Sequence, residues 1–124
     1  MSAVPAYVAG VALIAWGIAH VLPTRAVADG FGEIGADNRR ILVMEWLAEG
    51  IAHISIGLLV VLVAASGNGG SSIADLVYRV LAVALIALAS LTAVTGARTP
   101  VIWFKVCPFV LTAAAALLVV QTLV

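Results

Sequence analysis

The sequence predicts an all-α membrane protein, a single domain of four transmembrane helices in an antiparallel bundle. Its 124 residues are 65% hydrophobic and 10% charged, and the mean hydropathy is +1.24. Soluble domains carry about 25% charged residues. A bilayer core of about 30 Å requires roughly 20 mainly apolar residues in each helix. Four stretches meet this requirement, at about residues 5–22, 41–65, 76–95 and 101–123.

The first predicted helix is rich in small residues. Gly10 and Gly17 lie among several alanines, and small residues let helices approach closely in lipid, where packing replaces the hydrophobic effect as the driving force. We therefore expect this helix to lie inside the bundle. Pro23 marks its end, although membrane helices tolerate proline and a further turn or two is compatible with the sequence.

The three connections differ in composition. Residues 25–40 contain three glycines around Phe31 and Ile34, and we expect this segment to lie partly on the membrane surface or over the bundle mouth. Asp37 or Asn38 is the expected cap of the second helix. Residues 66–72 have linker composition, and residues 96–100 are few enough to make the third and fourth helices antiparallel neighbours.

The distribution of basic residues predicts the orientation in the membrane. Five of the six Lys and Arg residues lie in or beside the first and third connections. Because cytoplasmic loops carry the excess of positive charge, both termini are predicted outside and these two loops inside. The N-terminal residues lack the basic region of a secretory signal, so the first helix is predicted to be retained. A formal net charge of zero gives no reason to expect a nucleic-acid partner.

Three ionisable residues follow one another at four-residue spacing in the second predicted helix: Glu45, Glu49 and His53. On a helical wheel they fall within about 80° of each other. Counted from the cytoplasmic end, they lie about 7, 13 and 19 Å deep. Ionisable groups are expensive in a bilayer and usually face a bundle interior, a partner or a functional cavity.

Two further residues are predicted at the level of Glu45. His20 closes the first helix and Lys105 opens the fourth, and both ends belong to the same side of the membrane. We therefore predict a cytoplasm-facing pocket with Lys105 as its lid and Trp46 beside it, although tryptophans at this level also form interfacial belts. The predicted ligand-binding residues are Glu45, Glu49, His20, Lys105, Trp46 and His53.

Three interpretations of the carboxylates stay open. In the first, Glu45 or Glu49 forms a structural ion pair with Lys105. In the second, it lines a binding pocket for a lipophilic ligand or a proton. In the third, it acts as an acid or base beside a neutral histidine. His53 is predicted to be the structural member of the stripe, hydrogen-bonded to a backbone carbonyl. No catalytic residue is assigned.

The sequence predicts no metal site and specifies no cofactor. The Glu-x-x-His motifs of di-iron bundles are absent, as are phosphate loops, nucleophile elbows and zinc spacings. Haem held by both histidines requires the two rings at one depth, whereas His20 and His53 are predicted about 4 and 19 Å deep. Haem on one histidine stays open. Cys107, the single cysteine, is expected to be a small buried apolar residue.

The first half of the chain resembles the DoxX-like small bacterial membrane proteins. The resemblance rests on Gly10-x6-Gly17-x2-His20-x2-Pro23, on the glycine-bearing loop, and on Glu45-Trp46 followed by Gly50. It implies a four-helix membrane bundle and, in some members, a link to quinone or respiratory redox partners. It implies no catalytic residue here.

The expected function is therefore that of a small inner-membrane accessory or ligand-binding protein. Its partners are the lipid bilayer and a quinone or other lipophilic small molecule. One alternative is an enzyme of lipophilic substrates, such as an isomerase using a glutamate as proton donor or acceptor. Another is a homo-oligomer or a subunit of a larger respiratory or transport complex, in which the polar stripe faces a partner helix.

Overall fold

A computed structural model describes residues 2–124 and confirms the all-α prediction, with four helices long and apolar enough to cross a membrane. A short helix follows the first of them, and a single 3-10 turn, Gly96–Arg98, precedes the last. The α-helices are α1 (Val4–Val21), α2 (Thr24–Gly30), α3 (Ala36–Ala65), α4 (Ser72–Val94) and α5 (Ile102–Gln121).

The start of α3 differs from the prediction. The helix begins at Ala36, five residues before the predicted membrane span at residue 41, and its N-cap is Gly35 instead of Asp37 or Asn38. At 30 residues the helix is about 45 Å long, so its charged first turns extend beyond a hydrocarbon core of about 30 Å. Arg39 in these turns ion-pairs with Asp29 and donates to the Ala28 carbonyl at 3.4 Å, which fastens α2 against α3.

The α1 and α3 helices are antiparallel and meet along a seam of four glycines. Gly10 faces Gly57, and Gly17 faces Gly50: a Cβ added at Gly57 would lie 2.6 Å from the Gly10 carbonyl oxygen, and one at Gly17 would lie 2.8 Å from the Gly50 oxygen. On each helix the two glycines are seven residues apart, which returns them to one face after two turns. Backbone therefore packs directly on backbone along this seam, as small residues permit in membranes.

The α1 helix also packs against α5, and α4 packs against α5. Buried side chains of these three helices form most of the core, to which α3 adds Val60 and Ala64. The main members from α1, α4 and α5 are Ala6, Ala9, Leu13, Leu85, Leu111, Ala115 and Leu118. The α3 and α4 helices, by contrast, make very few contacts with each other, although they are consecutive in the chain. The bundle is thus closed on three sides and open between α3 and α4.

A buried glutamine side chain accepts a hydrogen bond from the backbone at the start of α1. Gln121 is 4% exposed; its Oε1 accepts from the Ala6 amide at 3.2 Å, and its Nε2 donates to the Ser2 carbonyl at 3.1 Å. The Val4 amide donates to the Ser2 hydroxyl, and Pro5 has no amide hydrogen. Helix N-termini leave their first N–H groups without intrahelical partners, so α5 supplies the acceptor that the first turn of α1 lacks.

Replacing Gln121 by leucine is therefore expected to lower the free energy of unfolding by about 1–3 kcal/mol, because the Ala6 amide loses its acceptor in an apolar setting. Unfolding in mixed micelles, followed by circular dichroism, measures the change. Thr122→Val is the matched control, since the Thr122 hydroxyl donates only to its own helix at Val119. Equal stability of the two variants would contradict the capping role.

Candidate functional site

A cavity of about 1050 Å³ lies where α3 and α4 are apart, at the end of the bundle that carries the first and third connections. All five helices contribute to its wall. Ligand sites commonly measure about 300–1,000 Å³, so the cavity is large enough for an organic molecule. The wall residues that matter for its chemistry are Trp16, His20, Glu45, Trp46, Glu49 and Phe104.

The end of α1 fixes the position of Trp46. Pro23 has no amide hydrogen to continue the helix, which leaves the last carbonyls of α1 to other donors. The Trp46 indole N–H donates to the His20 carbonyl at 2.8 Å, and the Thr24 hydroxyl donates to the Val21 carbonyl at 2.5 Å. Trp46 is thus fastened to α1 by a hydrogen bond.

Aromatic contacts then orient the His20 ring. It stacks on the Trp46 indole with ring centroids 4.0 Å apart and planes at 16°. Phe104 of α5 meets the other side of the group, with its ring 5.7 Å from that of Trp46 at 64°. The stack leaves the His20 side chain 9% exposed and fixes one edge of the cavity.

His20 and Glu49 come together as predicted, though not in a formed hydrogen bond. His20 Nε2 lies 3.6 Å from Glu49 Oε2, beyond the usual range for a hydrogen bond. Glu49 is about one-third exposed, with 36% of its side chain accessible, whereas Glu45 is exposed at the cavity mouth. The two carboxylates therefore extend from the mouth to the His20 edge.

The predicted depth difference between the two histidines is wrong. Their ring centroids are 6.0 Å apart, with planes at 80°. The pairing of Gly10 with Gly57 and of Gly17 with Gly50 sets the register, which places the two histidines about 9 Å apart along the axis. Because side chains lean toward the N-terminus of their own helix, those of antiparallel helices lean toward each other here. A difference in depth therefore no longer argues against haem bound by both histidines. Of the two, however, only His20 contributes to the cavity wall.

His53 also lacks the hydrogen bond predicted for it. Its side chain is fully buried, and neither ring nitrogen has a hydrogen-bond partner among residues 2–124. The indole N–H of Trp16 and Nε2 of His20 are likewise buried without a partner in this part of the chain. Several buried polar atoms without a hydrogen-bond partner thus lie at the end of the bundle that contains the cavity.

Lys105 is not the predicted lid. It is exposed, lies outside the cavity wall, and forms no ion pair with any described residue. The reason is helix rotation: Phe104 and Cys107 face the cavity on α5, and a residue between them, turned about 100° from Phe104, faces elsewhere. The structural pairing of Glu45 or Glu49 with Lys105 is therefore wrong.

Trp16 and Cys107 also belong to this wall, although neither is among the predicted ligand-binding residues. Cys107 is buried as expected, at 4% exposure, and its thiol lies beside Trp16. Trp16 and His20 are four residues apart, as are partners on one helical face, and this spacing was the available signal. In the described chain, no group of three His, Cys, Asp or Glu side chains is arranged to hold a metal ion.

The arrangement can hold an organic molecule between aromatic rings, with two carboxylates and a histidine in reach. No family model, curated protein or solved structure matches this chain, so the chemistry of the cavity is argued from its own residues.

Proposed function

We propose that this protein binds a lipophilic small molecule in the cavity between α3 and α4, acting as a small ligand-binding or accessory protein of the bacterial inner membrane. The observation that carries the proposal is the open side of the bundle. Both helices that border it are long and apolar enough to span a membrane, so a molecule dissolved in the bilayer reaches the cavity without crossing water.

The wall suits such a molecule. Its α4 side is made of Leu88 and Leu91 together with Thr92 and Thr95, whose hydroxyls donate to carbonyls of their own helix at 3.0 and 2.6 Å. These hydroxyls need no outside partner, so this side is effectively apolar. Pockets of this kind, mostly apolar with a few polar groups on one side, are typical of small-molecule sites.

The polar groups on the α1 side support binding over a purely structural role. A buried polar atom left without a partner costs about 1–3 kcal/mol. His20 Nε2 belongs to a wall residue and has none among residues 2–124. A ligand with hydrogen-bonding atoms at this edge would recover that cost.

The other interpretations remain proposals of lower rank. The closeness of His20 to Glu49 also fits an enzyme using acid–base chemistry. Assembly with a partner helix fits less well, because His53 and part of Glu49 are turned into the bundle. With both termini outside, the cavity would lie in the cytoplasmic half of the membrane, and the resemblance to DoxX-like proteins makes a quinone one neutral ligand to test.

The test uses the three tryptophans, Trp16, Trp46 and Trp103, all of which are wall residues. We expect saturable energy transfer from tryptophan to the neutral lipophilic dye phenylnaphthylamine when the protein is reconstituted in lipid nanodiscs. Ala52→Phe, which fills the cavity from α3, is expected to weaken this binding by at least about tenfold, a loss of about 1.4 kcal/mol.

Ala87→Phe is the matched control, because Ala87 is exposed on α4 outside the cavity wall. It adds the same side chain to the lipid-facing surface and is expected to leave dye binding unchanged. Identical titrations of the two variants, both shown to be folded by circular dichroism, would overturn the proposed function.

A further inference from the structure

We propose that the cavity selects lipophilic cations, an inference that rests on the proposed function and names the charge of its ligand. The observation is an imbalance in the wall. Glu45 and Glu49 both line the cavity, whereas none of the lysines and arginines in residues 2–124 does. The wall thus offers two carboxylates and no permanent positive charge.

The basic residues at this end of the bundle, Arg25 and Arg98 among them, lie outside the wall. Arg39 pairs with Asp29, and Arg40 pairs with Asp37 at 2.9 Å, while Lys105 is turned away from the cavity. His20 is the one basic group in the wall, and its contact with Glu49 is too long for a hydrogen bond. At pH 8 an ordinary histidine is neutral, so the cavity wall contains no cationic side chain to pair with the carboxylates under these conditions.

The low dielectric constant of a membrane strengthens the effect of two carboxylates without a positive partner. Carboxylates in low-dielectric surroundings are costly unless paired, and the attraction between opposite charges is stronger there than in water. A cation entering the cavity would supply the missing partner. An anionic amphiphile, such as a fatty acid, would meet repulsion from both carboxylates.

The aromatic groups favour the same ligand. Trp16, Trp46, Trp103 and Phe104 all belong to the wall, and indole faces attract cations within about 6 Å. Trp103 is 66% exposed and Glu45 is exposed as well, so both kinds of group are accessible to a cation that enters the cavity. Bulky organic cations with delocalised or shielded charge are soluble enough in lipid to arrive through the open side.

The test compares two ions of nearly the same shape and opposite charge, tetraphenylphosphonium and tetraphenylborate. Equilibrium dialysis against nanodiscs at pH 8, corrected by empty nanodiscs for partition into lipid, gives the affinity of each. We expect the cation to bind at least about tenfold more tightly than the anion. Glu49→Gln should remove most of this preference, and Glu49→Asp, which keeps the charge, should retain it.

Glu33→Gln is the control, because Glu33 is exposed in the loop before α3 and lies outside the wall. It removes the same charge and should leave the preference intact. A preference absent from the unaltered protein, or one that Glu49→Gln and Glu33→Gln reduce equally, would overturn the inference. In that case the proposed function would still stand if Ala52→Phe weakened the binding of phenylnaphthylamine as expected.

Discussion

Replacing Gly57 by leucine is expected to destabilise the protein by more than about 3 kcal/mol, the upper range of overpacking costs. Even the first added carbon would lie 2.6 Å from the Gly10 oxygen and 2.9 Å from the Ile14 nitrogen. Both are backbone atoms of α1, so no rotamer change relieves the overlap, and the two helices must separate. The measurement is unfolding in mixed micelles, together with the yield of monodisperse protein.

Gly30→Leu is the matched control for this change. A Cβ at Gly30 meets nothing within 4 Å, and the better helix propensity of leucine is worth at most about 1 kcal/mol. Its stability should therefore equal or slightly exceed that of the unaltered protein. If Gly57→Leu were tolerated as well as Gly30→Leu, the glycine seam would not be the close contact described here.

Replacing Trp46 by alanine is the second large effect expected, at about 3–5 kcal/mol for a packed tryptophan. The variant loses the stack on His20, the edge contact with Phe104 and the hydrogen bond to the His20 carbonyl. Trp46→Phe keeps a ring but no donor and should lose about 1 kcal/mol, the typical net value of one hydrogen bond. Urea or detergent unfolding of the two variants separates the contributions.

Trp103→Ala provides the comparison within the same cavity. Because Trp103 is 66% exposed, its removal should change the unfolding free energy by less than about 1 kcal/mol. A loss as large as that of Trp46→Ala would mean that the tryptophans stabilise the protein through the bilayer interface rather than through contacts with His20 and Phe104.

The membrane-spanning segments were predictable because each needs only a long apolar run, and hydropathy reports such runs directly. Hydropathy does not report the first turns of α3, which are polar and precede the span at residue 41. Capping residues indicated them instead, since the predicted caps Asp37 and Asn38 lie two and three residues from the observed cap, Gly35. These turns form a helix because tertiary contacts support them, chiefly Arg39 against α2. A local pattern cannot show a contact made with another segment.

For the cavity, too, the sequence indicated arrangements within one helix but not those between helices. The four-residue spacing of Glu45 and Glu49 places both on one helical face, and both line the cavity. Placing Lys105 or His53 required the rotation and register of one helix against another. Register was in fact encoded in the sequence, since the seven-residue spacing from Gly10 to Gly17 recurs from Gly50 to Gly57, and antiparallel pairing of the two sets brings the histidines together.

The three closed sides of the bundle also divide it into two helix pairs. The glycine seam joins α1 and α3, and extensive packing joins α4 and α5. The contact of α1 with α5 links the two pairs opposite the open side, together with the ring contact of Trp46 with Phe104. A change in the width of that opening would alter the cross-section of the protein in the plane of the membrane, because both helices that border it are long and apolar enough to span the bilayer.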